Sequence, residues 1–283
     1  MNVETEDRTQ ALRKGRLVLA CATPCDTAGP AAVNRLSPLL GAEELARAGR
    51  FRFAQDQIPF LFAHALARVM LSRLLRRPPR DWEFVADGLG RPRLRPGQTR
   101  YAACFSLSHT RGLAACAVGI GHGIGIDAEN CEAARLLDVD GDWLTKAESA
   151  ALHALAPASR GGAAVQLWTL KEAFAKATGL GLHQRFGDVG FTLDPPRLAC
   201  TPPACAGHWR LAQTRPTPAH VVAVAVRCAG RKPVRVAVEV LPADALDELG
   251  EHQEVWGDSD DRLPAVKPFA VLRPVRTRAP QTS

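Results

Sequence analysis

Ile124-Gly125-Ile126-Asp127-Ala128-Glu129-Asn130, read together with Trp168-Thr169-Leu170-Lys171-Glu172-Ala173-Phe174-Ala175-Lys176-Ala177-Thr178-Gly179, decides how the chain is organised. In the first stretch β-branched residues alternate with glycine and then with acids, and a period of two puts Asp127 and Glu129 on one face of a strand end. The second stretch has helical spacing. Its (i, i+4) rows bring Trp168, Glu172 and Lys176 onto one side, and Gly179 stands where a left-handed cap would end the helix. Three carboxylates without a paired His or Cys suit a hard cation such as Mg²⁺, which prefers oxygen ligands and substrate phosphates. Taken singly, each motif has a plainer reading. A Glu four residues before a Lys is a common exposed pair worth about a few tenths of a kcal/mol, and acids at a strand end often face water.

Taken in order, Ser108-His109-Thr110, Gly125-Ile126-Asp127-Ala128-Glu129 and Trp168 to Gly179 resemble the larger, monomeric 4′-phosphopantetheinyl transferases of the surfactin-synthetase-activating type. The resemblance covers roughly residues 45–240. It implies an α+β pseudo-dimer of two similar halves, each with helices packed on a small, mostly antiparallel sheet, and an active site between the halves. The implied activity moves the 4′-phosphopantetheine arm of coenzyme A onto a serine of an apo acyl or peptidyl carrier protein, releasing 3′,5′-ADP. Carriers of fatty acid, polyketide and non-ribosomal peptide synthesis are all open.

By the same resemblance Asp127, Glu129 and Glu172 would hold Mg²⁺ against the diphosphate, and Glu172, or a water it orients, would be the general base. Lys176 would contact and protonate the departing phosphate, with Lys171 adding charge to the same anion. Ser108 and His109 would meet the coenzyme's phosphates, His109 as an imidazolium. Gly90-Arg91-Pro92 resembles the family's G-[KR]-P, whose basic residue reaches the nucleotide, and Arg50-Phe51 resembles its R-F start. One departure stands out. The family follows R-F with further basic side chains, whereas Ala54, Gln55, Gln57, Ile58 and Pro59 carry no charge here, leaving Arg50, Arg52, Arg91 or Arg111 to compensate. That gap motivates an alternative, a non-catalytic accessory member binding carrier proteins or a coenzyme. Ala128 is also smaller than the usual Ile or Val, which should alter packing only.

With 283 residues the chain suffices for one large domain or two modest ones, and its formal charge of +7, carried mostly by arginine, favours acidic or polyanionic partners. No aromatic-basic motif supports nucleic-acid binding. No stretch reads as the roughly 20 apolar residues of a membrane span. Arg13-Lys14-Gly15-Arg16 before Leu17 to Cys21 imitates a signal peptide only faintly, since the apolar core is short and acids precede it. The eight cysteines show no C-x-x-C and no zinc spacing, and read as small buried residues in a reducing compartment. A cytoplasmic monomer, with no nucleic acid and no membrane, is the expectation.

Along the chain, residues 1–15 read as a flexible N-terminus, 16–123 as one α+β half, 124–243 as a second half carrying the metal and catalytic motifs, and 244–283 as a flexible Pro/Arg-rich tail. Strands are expected at Arg16 to Cys21, Trp82 to Val85, Tyr101 to Leu107, Gly112 to Ile120, Val189 to Leu193, Trp209 to Gln213, Val221 to Val226 and Val234 to Val240. A short helix is expected around Ser37 to Arg50, and a longer one over Ile58 to Arg76 with Pro59 near its start. Thr145-Lys146-Ala147-Glu148 has capping-box spacing and opens a helix through Leu155, followed by a Pro/Gly break at Pro157 to Gly162. The glycines at 119, 121, 123 and 125 mark a tight turn into the Asp127 strand, not a dinucleotide loop.

Overall fold

A computed structural model describes residues 16–22, 29–75, 77–121, 123–181, 185–228 and 235–241. The readings of residues 1–15 and of the 244–283 tail lie outside the described residues. Two sheets and two long helices carry the architecture. The first sheet has the order β11-β1-β5-β4, built from β1 (Arg16–Ala22), β4 (Ala103–Thr110), β5 (Leu113–Ile120) and β11 (Arg235–Leu241). The second has the order β6-β10-β9, from β6 (Gly123–Asn130), β9 (His208–Thr217) and β10 (His220–Cys228), antiparallel throughout. Two hairpins flank them, β2 (Phe84–Ala86) with β3 (Pro92–Leu94), and β7 (Gly190–Leu193) with β8 (Pro196–Cys200). The helices are α1 (Gly29–Leu36), α2 (Ala42–Ala48), α3 (Ala54–Leu75), α4 (Lys146–Ala154) and α5 (Pro157–Thr178). This is an α+β fold.

Why the layers stack as they do is written in two strands with apolar residues on both faces. Ala114, Cys116 and Val118 of β5 pack on the α3 side, while Leu113, Ala115 and Ala117 face Ile124, Ile126 and Ala128 of β6 and the valines of β10. On β10, Val222, Val224 and Val226 take that inner position, and Ala223 and Ala225 pack with Leu170 and Phe174 of α5. The order is therefore α3, first sheet, second sheet, α5. Small side chains between the sheets bring them close, and Ala128 fits that layer.

β4 and β6 run side by side without sharing a backbone ladder, and serine hydroxyls substitute for it. The Ile126 N–H donates to Ser106 Oγ at 3.1 Å and the Ala128 N–H to Ser108 Oγ at 3.3 Å. Two alternate residues of β4 thus cover the otherwise open edge of β6.

Several sequence expectations are corrected. α3 begins at Ala54, so Pro59 is its sixth residue and removes a hydrogen bond to the Gln55 carbonyl. Its polar first turn, Ala54-Gln55-Asp56-Gln57, hid this start from the apolar pattern. α3 is also long and apolar enough, with a mean hydropathy of 1.4, to cross a bilayer, contrary to the sequence reading, but 89% of that window is buried inside the fold. An apolar surface all round is what a central core helix needs. The break expected at Pro157 to Gly162 is helix: Pro157 occupies the first turn of α5, where its missing N–H costs nothing. Gly179 ends α5 with φ +83°, as the left-handed cap requires.

Gly123 and Gly125 lie within β6 rather than in a turn. A Cβ on Gly125 would come within 1.9 Å of the Ala173 carbonyl oxygen, so this glycine is what lets α5 lie against β6. Finally, β11 forms where a strand was expected but pairs parallel with β1, returning the chain from the second half to the first sheet.

Candidate active site

Because β6 alternates and α5 repeats every 3.6 residues, their facing sides carry the expected groups together. Asp127 is 5% exposed, and its Oδ1 accepts from Lys176 Nζ at 2.7 Å and from Ser108 Oγ at 3.0 Å. Lys176 Nζ also donates to Ser108 Oγ, at 3.0 Å. A closed triangle thus joins β4, β6 and α5. The other carboxylate oxygen, Asp127 Oδ2, is buried and has no hydrogen-bond partner among the described residues.

Glu129 and Glu172 are half-buried beside this triangle. Burial and the Asp127 charge push the Glu129 carboxyl up to about 7, a hydrogen bond with the Trp168 side chain and the Lys176 charge opposing them. Glu172 is raised for the same two reasons, with Lys176 and then Arg91 pulling it down. Burial and the Asp127 charge therefore make Glu129 and Glu172 costly to ionise, a cost that a bound cation would relieve. They are not gathered to coordination distance. Among the described residues no group of three or more His, Cys, Asp or Glu side chains is close enough to hold a metal ion.

Next to the triangle lies a cavity of about 240 Å³ whose walls include Lys176, Arg91, Arg93, Arg47, His64 and His109, with Phe60 and Phe105 as apolar surfaces. The turn between β2 and β3 delivers the arginines. Asp87 Oδ1 accepts the N–H groups of Leu89 and Arg91, both at 3.0 Å, and its Oδ2 takes Arg93 Nε at 3.1 Å. Arg91 Nη1 donates to the Lys176 carbonyl at 2.7 Å, satisfying one of the last carbonyls of α5. Its Nη2 is buried and unpartnered among the described residues. Burial first, then the charges of His64, Lys176 and Arg47, lower the His109 imidazole to about 4, with Asp127 opposing them. The imidazolium expected from the sequence is the form an anion would have to restore.

A family model described as the 4′-phosphopantetheinyl transferase superfamily matches residues 123–225. The chain is 31% identical over 201 residues to the 4′-phosphopantetheinyl transferase HetI of Nostoc, a match spanning 70% of this chain and 83% of that protein. The chain belongs to the 4′-phosphopantetheinyl transferase superfamily. It is also 30% identical over 152 residues to a putative 4′-phosphopantetheinyl transferase, slr0495, of Synechocystis, covering 53% of this chain and 61% of that one. With the 4′-phosphopantetheinyl transferase psf-1 of Bacillus pumilus it shares 30% identity over 161 residues, 56% of this chain and 66% of psf-1.

In this transferase not every residue singled out from the sequence reaches the site. Lys171 does not: its ammonium is fully enclosed and donates to Glu148 Oε2 at 2.9 Å, to the Phe186 carbonyl at 2.9 Å and to the Val189 carbonyl. It lies about 100° around α5 from Glu172, in the apolar row of Leu167, Phe174 and Ala175, a signal the spacing already contained. Arg50 is exposed and does not line the cavity, nor do Arg52 and Arg111. Arg47, one turn earlier on α2, does. His64, Arg93 and Arg47 are the basic residue types on the cavity wall that the sequence reading missed. His64 sits in the unbroken apolar run of α3, where its only signal is being polar among hydrophobic neighbours.

Proposed function

We propose that this transferase moves the 4′-phosphopantetheine arm from coenzyme A to a serine hydroxyl of an apo acyl or peptidyl carrier protein, with Mg²⁺ bound and with release of 3′,5′-ADP. The observation that carries this reading is the Ser108–Asp127–Lys176 triangle, with an unpartnered carboxylate oxygen at one corner and a cation-lined cavity beside it. Asp127, Glu129 and Glu172 would hold the metal, since they are a hard-oxygen donor set with a free buried oxygen and charges that need neutralising. When bound, Mg²⁺ supplies neutralisation of the diphosphate's charge.

The chain's own groups perform the rest. The serine oxygen bonds to the arm-side phosphorus of the diphosphate as the bond from that phosphorus to the bridging oxygen breaks. The serine proton passes to Glu172, or to a water it orients, and a carboxylate held above its ordinary range is the stronger base for that task. The bridging oxygen leaves with 3′,5′-ADP, and Lys176 stabilises and protonates it. Asp127 and Ser108 fix the Lys176 ammonium through two of its three protons, leaving one for the phosphate. His109 and Arg91 line the cavity that would receive the nucleotide end. The accessory alternative loses its motive, because Arg47 and Arg93 line the cavity and supply the positive charge for which residues 54–59 have no basic side chain. Two similar α+β halves, a monomeric state and a cytoplasmic location belong to the same reading, and the layer order, with a helix and a sheet on each side, supports the two halves.

Intact mass of an apo carrier protein, incubated with this enzyme, coenzyme A and Mg²⁺, tests it. Gain of one phosphopantetheine arm, abolished by EDTA, is expected. No gain across carriers of fatty acid, polyketide and peptide synthesis would overturn the reading.

A further inference from the structure

His64 is a cavity residue with an acid behind it. The residue is 4% exposed, on α3, and its Nδ1 lies 2.7 Å from Glu44 Oε1. Glu44 does not itself line the cavity. Its other oxygen, Oε2, accepts from the Gly41 N–H at 2.6 Å and from Arg68 Nε at 2.8 Å, and Arg68 Nη2 pairs with it at 2.8 Å. Burial alone would raise the Glu44 carboxyl, but the hydrogen bond from His64 and the charges of Arg68 and His64 more than reverse this and keep it ionised. An ionised carboxylate only accepts, so His64 Nδ1 must be the donor. The ring is thereby fixed in one orientation, and its Nε2 makes no hydrogen bond among the described residues.

The surroundings of that ring are specific. Phe60 packs against it with centroids 4.2 Å apart, and the same Phe60 ring carries the Arg47 guanidinium at 5.5 Å and meets His109 edge-on at 6.1 Å. Arg47, His64 and His109 thus surround one aromatic ring on a cavity wall, while Asp127, Glu129 and Glu172 do not line the cavity.

Resting on the transferase reading above, we propose that His64, oriented by Glu44, is a further substrate-recognising residue whose Nε2 serves a phosphate monoester of the coenzyme, in the part of the cavity it shares with Arg47 and His109. Coenzyme A carries two kinds of phosphate. In the transferase reading its diphosphate goes to Lys176 and to the Mg²⁺ that the acids across the triangle would hold. Its 3′-phosphate is a monoester with a second ionisation near pH 6, hence close to a dianion at neutral pH, and takes the greatest benefit from a guanidinium and ring nitrogens converging in a low-dielectric wall. With Nδ1 engaged by Glu44, Nε2 is the ring nitrogen left to meet such a dianion.

The test is calorimetric titration of the full-length protein with coenzyme A and with 3′-dephospho-coenzyme A. The wild type should prefer coenzyme A. His64→Gln, which puts a neutral amide in place of the imidazole, should weaken coenzyme A binding about tenfold, the size of one charge-assisted hydrogen bond, and change dephospho-coenzyme A binding by less than about twofold. Because His64 lies in the core, the wild-type protein gives a second readout. The His64 ring resonances should shift when coenzyme A is added and stay in place with the dephospho form. A wild type that binds both coenzymes equally, a variant that loses both alike, or His64 resonances that respond identically to both would overturn the assignment. A wild type that binds neither overturns the transferase reading, and this assignment with it.

Discussion

Lys171 and Lys176 are five residues apart on one helix and do opposite things. Lys176 reaches the Asp127–Ser108 triangle, whereas Lys171 is sealed in the core as the partner of Glu148, which also caps α4 through Thr145 and accepts the Phe191 N–H at 2.9 Å. Burial lowers the Lys171 ammonium from its usual range and Glu148 opposes that, so the pair is one that tolerates no missing member. Lys171→Met should therefore cost about 3 kcal/mol of stability or more, read as a shift of the urea midpoint, and leave the KM for coenzyme A of the folded enzyme unchanged. Glu172→Gln, one position along, should do the reverse. It removes a charge at nearly constant shape, so the midpoint should hold while kcat falls by about a hundredfold or more. A Glu172→Gln enzyme with near-native turnover would remove this residue from the mechanism. At this scale the sequence was legible where the rows of one helix and one strand decided the matter, as for Asp127, Glu172 and Lys176. It was not legible where the decisive neighbour came from a distant element. Arg47 and His64 are placed in the cavity by α3 folding onto β4 and β5 with α2 packed on α3, and nothing within residues 44–64 announces that.

Among the elements, α2 is too short to be stable alone, and its position depends on α3. The tie is Glu44, which bonds its own first-turn N–H at Gly41 and also His64 and Arg68, while Arg68 goes on to the Pro79 and Trp82 carbonyls at 2.8 Å each. Because the folded protein holds Glu44 below the ordinary carboxylate value, this contribution is fully present above that value and is lost as pH falls through the lower, folded one. Glu44→Gln should then be less stable than wild type by about 3 kcal/mol at pH 7, and the gap should close on acidification below the ordinary carboxylate range. Urea midpoints of both proteins, taken from pH 7 down to pH 3, check it; a gap independent of pH would mean that the ionised form is not what ties α2 to α3. Elements with local signals were readable: the Thr145–Glu148 capping box and the Gly179 cap appear where the spacing puts them. The parallel pairing of β11 with β1 was not, since it joins residues about two hundred positions apart and leaves no mark in either strand's own pattern.

For the molecule as a whole, the stacking of α3, two sheets and α5 places cations from α2, the β2–β3 hairpin and α5 around one cavity, on a chain whose formal charge is +7. These charges act at two distances. Inside the cavity, groups such as the half-buried Arg91 and Lys176 are shielded from salt by the protein around them. On the surface, exposed arginines such as Arg50, Arg52 and Arg111 act over a range that falls to roughly 3–10 Å as ionic strength rises. An acidic carrier protein approaching the enzyme would feel mainly the second set, since steering works during encounter rather than after docking. Raising salt from about 50 to 500 mM should therefore increase the KM for an acidic carrier several-fold, with a much smaller change in the KM for coenzyme A and in kcat. Steady-state kinetics with each substrate varied in turn would show it. If both KM values rose together, the surface charge would have no separate role in choosing the carrier, and the cavity cations alone would account for the enzyme's basic character.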